Sequence, residues 1–120
     1  MGVVSASARN SLNKALEVSL DGSIRGIPLE FALMQNYPNP FNPSTTIDYQ
    51  MPSPSHVEIA VYNILGEKVS TLVNELQPAG YYTVQWNGRN DAGVQMASGL
   101  YFYRMRAADF SGLNKMLLIK

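Results

Sequence analysis

Apolar and polar residues alternate in short runs from about residue 29 to residue 120. A period of two places one set of side chains on each face of a β-strand. Turn residues such as Asp, Asn, Gly and Pro separate the runs, so the pattern predicts about seven short strands and no helix after residue 28. The predicted inward-facing sets are Ile47, Tyr49 and Met51; Val57, Ile59 and Val61; Val69; Tyr82, Val84 and Trp86; Tyr101, Tyr103 and Met105; and Met116 and Leu118.

Short strands at this spacing are typical of an all-β fold, an immunoglobulin-like antiparallel β-sandwich. We expect Trp86 to anchor the core, a short edge strand at 31–34, and a strand over 67–73. Turns are predicted at 63–66, 77–80 and 109–112, and a polar loop at 87–93. The last strand is expected to run to Lys120 and to be integral to the fold.

Residues 1–28 differ from the rest because they hold no aromatic side chain. The segment 11–20 allows two interpretations, a short helix or a strand that leads into a hairpin turn at Asp21-Gly22. We interpret residues 1–28 as a linker or the tail of a preceding domain, at most loosely docked. A boundary at 26–28 then leaves residues 29–120 as the folded domain, in what we take to be a fragment of a larger protein.

Composition excludes several classes of function. Nine basic and nine acidic residues give a net charge of zero, which argues against nucleic-acid binding. The absence of cysteine excludes disulfides, thiol catalysis and thiolate metal sites. No apolar stretch approaches the roughly 20 residues that a membrane helix needs, and the first residues do not resemble a signal peptide.

Candidate chemistry is sparse. His56 is the one histidine, with no nucleophile or second ligand nearby in sequence, and the carboxylates are scattered. Asn87, Asn90 and Asp91 could offer oxygen ligands to calcium, or could simply form turns. Tyr81 and Phe102 face away from the predicted core, as a carbohydrate platform or as cover for neighbouring strands. We therefore predict no catalysis, no cofactor and no obligatory metal.

One run stands out: residues 35–47 read QNYPNPFNPSTTI. Each proline fixes its own φ and lacks an N–H, and the residue before it is pushed toward extended conformations. Asparagine side chains can cap local turns. The run therefore predicts a rigid, ordered loop that leads into a strand beginning near Thr45.

Five segments along the chain together resemble one family. They read QNYPNPFNPSTTIDYQMP, VEIAVYNILGEKVSTLV, AGYYTVQWNGRNDAG, ASGLYFYRM and KMLLIK. In this order they are similar to the type A C-terminal sorting domain of the type IX secretion system. That domain is related to the Ig-like module of flagellar hook-capping proteins. The signature residues carried over by position are Asn36, Pro38, Asn39, Pro40, Asn42, Pro43, Lys115 and Lys120.

The resemblance implies a function. Such domains follow cargo proteins of Bacteroidetes and related bacteria, cross the periplasm, and are recognised by the outer-membrane secretion machinery. A sortase-like peptidase often removes the domain, here around 23–29, and the cargo is secreted or anchored at the cell surface. We expect no nucleic-acid partner, no membrane insertion and a monomer. The alternative is an Ig-like binding or assembly module, for protein docking or carbohydrate adhesion, within a secreted multidomain protein.

Overall fold

A computed structural model describes residues 26–120. The prediction for residues 11–20 lies outside this part, as does most of the segment interpreted as a linker. Within residues 26–120 no helix could cross a membrane. The described chain forms seven strands: β1 (Ala32–Leu33), β2 (Thr45–Met51), β3 (Ser55–Tyr62), β4 (Lys68–Gln77), β5 (Gly80–Trp86), β6 (Gly99–Ala107) and β7 (Phe110–Leu118).

The strands form two sheets, one of three strands in the order β1-β2-β5 and one of four in the order β4-β3-β6-β7. Neighbouring strands within each sheet are antiparallel. This architecture confirms the predicted all-β, Ig-like sandwich of seven strands. The loop between β1 and β2 is the proline–asparagine run; we call residues 35–44 the Pro–Asn loop.

The core lies between the sheets, and alternation places its residues there. One half surrounds Trp86 with Tyr101, Tyr103 and Leu118, and the other surrounds Ile59 with its neighbours on β2 and β6. The predicted core residues are buried, which confirms the alternation as a guide to the inner faces. Residues on the three-stranded sheet are covered less completely toward its β5 edge, where Tyr82 and Val84 are half-buried. Six residues predicted for the core are buried: Trp86, Tyr101, Tyr103, Val57, Ile59 and Val61.

Both predicted ends of β7 are wrong. The β6–β7 turn was expected at 109–112, but Ala107 pairs with Phe110, so the turn is the two residues between them. Ala108 there has a φ of 51°. Phe110 is held in the strand because its ring stacks on Phe31, with centroids 5.7 Å apart. β7 therefore begins at Phe110, and it ends at Leu118, short of Lys120.

β4 is longer than the predicted 67–73 because its last residue has a partner in the core. Gln77 pairs with Ser55, and its Oε1 accepts a 2.8 Å hydrogen bond from the buried Tyr49 hydroxyl. Irregular pairing between β3 and β4 at two points breaks the simple alternation along this strand. A period-two pattern cannot be followed through such irregularities, which is why sequence placed the end of β4 too early.

Candidate recognition site: the Pro–Asn loop against the last strand

The Pro–Asn loop lies along the free edge of β7. Phe41 N–H donates to the Leu117 carbonyl at 3.0 Å, and Ile119 N–H donates to the Phe41 carbonyl at 3.0 Å. Phe41 and Leu118 thereby form an isolated parallel bridge. The Asn39 side-chain oxygen accepts from Leu117 N–H at 3.0 Å. The loop thus occupies edge groups that an unpaired strand would otherwise present to other chains.

A second contact joins the loop to β7 one step earlier. The side-chain amide of Gln35 donates to the Lys115 carbonyl at 2.8 Å. The same amide donates to Asn36 Oδ1 at 2.6 Å. Together with the contacts at Leu117 and at Ile119, which directly follows β7, this pairs alternate residues at the end of the chain with the loop. The two segments that hold the signature residues are therefore one hydrogen-bonded unit.

Asn36 closes the loop from inside. Its side chain is 3 % exposed, and its Nδ2 donates to Thr45 Oγ1 at 2.8 Å and to the Pro38 carbonyl at 3.2 Å. The Thr45 hydroxyl also donates to that carbonyl, at 2.9 Å. A buried amide keeps its place only when its donors and acceptors are satisfied, and these bonds satisfy them. These hydrogen bonds therefore join the two ends of the loop, at Asn36 and Thr45.

Tyr103 ties the loop to the sandwich. Its hydroxyl donates to the Met34 carbonyl at 2.7 Å and accepts from Asn36 N–H at 2.8 Å. Asn114 Nδ2 approaches the same oxygen at 3.3 Å. Burial raises the pKa of the Tyr103 hydroxyl, while the hydrogen bonds from Asn114 and Asn36 act in the opposite direction. The hydroxyl links β6 to the chain that enters the loop.

Phe41 anchors the loop in the core. Its side chain is 1 % exposed, and its ring lies 5.7 Å from that of Trp86, centroid to centroid. Trp86 in turn meets Tyr101 edge-on at 5.3 Å. Tilted aromatic pairs at these distances add to the gain from burial alone. A loop with a buried aromatic residue is part of the core rather than an appendage to it.

The remaining signature residues face solvent. Pro38, Asn39, Pro40, Asn42 and Pro43 are exposed on the outside of the loop, and Lys115 and Lys120 are exposed beside it. The bonds that precede these three prolines are cis. The structure therefore brings the loop and Lys115 together on one surface, with Asn36 buried beneath it. Exposed groups with a fixed backbone are what a recognition surface requires.

Sequence reasoning singled out both segments but missed the residues that join them. Gln35, Phe41, Asn114 and the Tyr103 hydroxyl make the connections described above. Phe41 had a signal: it is an apolar side chain inside a run of asparagine and proline, where a solvated loop would be polar. The other connections depend on groups more than 60 positions apart, and no local pattern announces them.

The other candidate residues behave differently. Asn90 Oδ1 accepts from the N–H groups of Ala92 and Val94, and Asp91 Oδ1 accepts from Thr71 N–H at 3.0 Å. Asn87 Oδ1 accepts from Arg89 N–H at 3.1 Å. The Asn87 and Asn90 oxygens cap backbone within or next to their own loop, as the turn interpretation predicted, whereas Asp91 bonds a residue 20 positions away on β4. Within residues 26–120 no cluster of three or more His, Cys, Asp or Glu side chains could hold a metal ion.

The remaining candidates lie apart. His56 Nε2 lies 2.6 Å from Asn74 Oδ1 on the neighbouring strand. Tyr81 is on β5 and Phe102 on β6, so the two aromatic residues belong to different sheets. They do face away from the core, as predicted, but they cannot share one carbohydrate platform.

Comparison with known proteins identifies the family. Residues 41–110 match the FlgD Ig-like domain. The chain belongs to this family. A search of the curated proteins found no match.

Solved structures show the same fold. Dimeric latent PorU from Porphyromonas gingivalis is 19 % identical, with a TM-score of 0.60 over 80 % of this chain and 10 % of that one. PorZ, an essential surface component of the type IX secretion system of Porphyromonas gingivalis, is 20 % identical. Its TM-score is 0.51 over 75 % of this chain and 11 % of its own. The chain thus spans about a tenth of the length of either protein.

Proposed function

We propose that this FlgD Ig-like domain is a type A C-terminal sorting domain that targets a cargo protein for type IX export. It acts by recognition and not by catalysis. The observation that carries the proposal is the pairing of the two signature segments. The Pro–Asn loop and the β7 edge are joined through Asn39, Phe41 and Leu117, so one rigid surface displays both.

The physical argument is that a sorting signal must be recognisable on many cargo proteins. Its information therefore has to lie in its own shape and surface groups, not in a pocket shaped for one substrate. A loop fixed by buried Asn36 and Phe41 presents exposed prolines and Asn42 in one conformation. Preorganised groups lose less conformational entropy when they bind a receptor.

The comparisons support this proposal at the level of fold. The domain resembles a portion of PorZ, which is itself a surface component of a type IX system. The proposed partners are the outer-membrane secretion machinery and a sortase-like peptidase that cuts near 23–29. The proposed route runs through the periplasm to the medium or the cell surface of a Bacteroidetes bacterium, with the domain as a monomer.

The test is transport of a passenger. A periplasm-targeted fluorescent protein is fused in front of the full chain and produced in a bacterium with a working type IX system. We expect fluorescence in the medium or on the cell surface, and retention in the periplasm in a strain without the secretion pore. Retention in the competent strain, while a known sorting domain exports the same passenger, would refute the proposal in favour of the binding-module alternative.

Matched variants separate recognition from folding. The double substitution Lys115→Ser and Lys120→Ser removes two exposed charges. Because surface changes usually shift stability by under about 0.5 kcal/mol, the melting temperature should stay within about 4 °C. Loss of export with an unchanged melting temperature would assign recognition to the two lysines. If the double variant is exported as well as the parent, the secretion machinery recognises the Pro–Asn loop without the two lysines.

A further inference from the structure

The outer face of the four-stranded sheet carries a regular row of side chains. Tyr62 on β3 pairs with Phe102 on β6, Tyr62 pairs with Lys68 on β4, and Phe102 pairs with Lys115 on β7. Residues directly opposite on neighbouring strands share a face of the sheet. Two aromatic rings therefore lie side by side between two lysines, across all four strands.

The next row creates a depression. Arg104 lies between Ala60 and Leu113 in the sheet, and its Cζ is 6.0 Å from the centroid of the Tyr62 ring. Tyr62, Phe102, Arg104 and Leu113 line a shallow hollow of about 330 Å³. Leu113 forms part of the wall of the hollow and is 58 % exposed, which is a high fraction for a leucine. The hollow combines aliphatic and aromatic walls with a guanidinium group.

Positive charge is concentrated on this face. Among residues 26–120 the lysines and arginines on it are Lys68, Arg104, Arg106 and Lys115, and the facing carboxylate is Glu58. Lys68 is paired with Glu58 at 2.9 Å, the one ion pair within the described part of the chain. Arg104, Arg106 and Lys115 have no such partner there. The hydrogen bond to Lys68 lowers the pKa of Glu58, which stays ionised.

The opposite face of the sandwich has no comparable feature. Its outward residues on β2 and β5 include Asp48, whose carboxylate accepts from Thr83 at 2.8 Å and from Tyr37 at 3.1 Å. The strands of that sheet contain no lysine or arginine at all. Within the described strands, positive charge and exposed apolar surface therefore coincide only on the outer face of the four-stranded sheet.

We propose that the outer face of the four-stranded sheet is a docking surface for an acidic polypeptide segment that also carries apolar side chains. A carboxylate of the segment pairs with the Arg104 guanidinium, which stacking over Tyr62 holds in place. An adjacent aliphatic side chain enters the hollow between Phe102 and Leu113. This surface adjoins the Pro–Asn loop at Lys115 but is centred on Arg104 and Phe102, and the proposal does not depend on the secretion role.

Charge complementarity favours a polypeptide over a nucleic acid. The outward strand residues of this face include four cations and one anion, and Glu67 lies at the rim of the hollow, bonded to Asn63. The described residues as a whole have six basic and seven acidic side chains. Such a balance gives little long-range attraction for a polyphosphate backbone. The exposed aliphatic walls instead match an apolar side chain, and the unpaired arginines match carboxylates placed beside it.

The experiment is a titration of the ¹⁵N-labelled full chain, followed by NMR. The probe is an acetylated and amidated hexapeptide of alternating glutamate and leucine. We expect amide shift changes concentrated on Phe102, Arg104 and Leu113. The matching lysine–leucine hexapeptide should cause none there, because its charges repel the face.

Two matched variants test the arginine. Arg104→Gln should weaken binding roughly tenfold, the effect of one charge-assisted hydrogen bond. Arg89→Gln makes the same change of charge in the 87–93 loop and should leave the affinity unaltered. Three results would each overturn the proposal. They are an equal loss of peptide affinity in both variants, no amide shift changes up to the solubility limit of the peptide, and equally tight binding of an oligothymidylate at this face.

Discussion

Two asparagine-rich loops of this domain resemble each other in composition and differ in how they are held. In the 87–93 loop, Asn90 accepts from N–H groups two and four residues ahead, and Asn87 accepts from the N–H two residues ahead. In the Pro–Asn loop, Asn39 accepts from Leu117, 78 positions away, and Asn36 N–H donates to Tyr103, 67 positions away. One loop is capped mainly by itself and the other by the fold.

The difference shows what each loop needs in order to keep its shape. A self-capped loop keeps most of its hydrogen bonds when distant strands are disturbed, although Asp91 also reaches Ser70 and Thr71. The bonds of the Pro–Asn loop to Tyr103 and to the end of β7 form only while β6 and β7 are in place, whereas the bonds of Asn36 to Pro38 and Thr45 are local. Because the loop in turn covers the β7 edge, loop and strand stabilise each other. Trp86 contacts both loops, through the Phe41 ring and the Arg89 carbonyl.

The largest effect is expected from Trp86→Ala. The change removes a side chain that is 1 % exposed, leaves a cavity, and detaches both loops from their common anchor. We expect a loss of about 3–5 kcal/mol in the free energy of unfolding, measured by urea denaturation. A loss below about 1 kcal/mol would show that the tryptophan does not anchor the core.

Phe41→Ala should separate the two loops, because it removes the anchor of the Pro–Asn loop and leaves the 87–93 loop unchanged. We expect a loss of about 3 kcal/mol, because a buried ring is removed from one end of the core. Amide hydrogen exchange should rise at Ile119 and be unchanged at Val94, whose N–H bonds to Asn90. The control is Val94→Ala, an exposed position that directly follows the self-capped 87–93 loop. Equal exchange changes in both loops would remove the distinction between them.

Tyr103→Phe tests the hydroxyl that joins the loop to β6. Near neutral pH the variant should lose about 1–3 kcal/mol, because Asn36 N–H is left without its acceptor. Burial raises the pKa of Tyr103 above its usual value of 10.0, so its protonated form is favoured by folding. The stabilisation is complete below about pH 10 and falls as the pH rises further. The difference in the free energy of unfolding between the parent and Tyr103→Phe should therefore become smaller above pH 10. Urea denaturation at a series of pH values measures it.

The smallest effect compares two asparagines of the same loop. Asn39→Ala removes the acceptor of Leu117 N–H and should cost about 1 kcal/mol, with faster exchange at Leu117. Asn42→Ala alters an exposed side chain and should stay within about 0.5 kcal/mol of the parent. A larger loss for Asn42→Ala than for Asn39→Ala would contradict the assignment of Asn39 to the strand edge.

The strands and the core were largely predictable from the sequence. Alternation identified Ile59, Trp86 and Tyr103 as inward-facing because a strand has a fixed period and one face of each sheet must be buried. The end of β4 and the β6–β7 turn were misplaced. In both cases a tertiary contact, from Tyr49 to Gln77 or from Phe31 to Phe110, extended a strand into residues that read as a turn.

The candidate site was predictable only in part. The sequence by itself determined that residues 35–44 are rigid and not helical, since proline restricts its own backbone and that of its neighbour. It also determined a strand at Met116 and Leu118 by their spacing. Only the tertiary structure decided that the loop covers that strand, because hydrogen bonds between residues about 80 positions apart depend on how the sheets pack. Local residue patterns carry the conformation of each segment, and packing decides which segments meet.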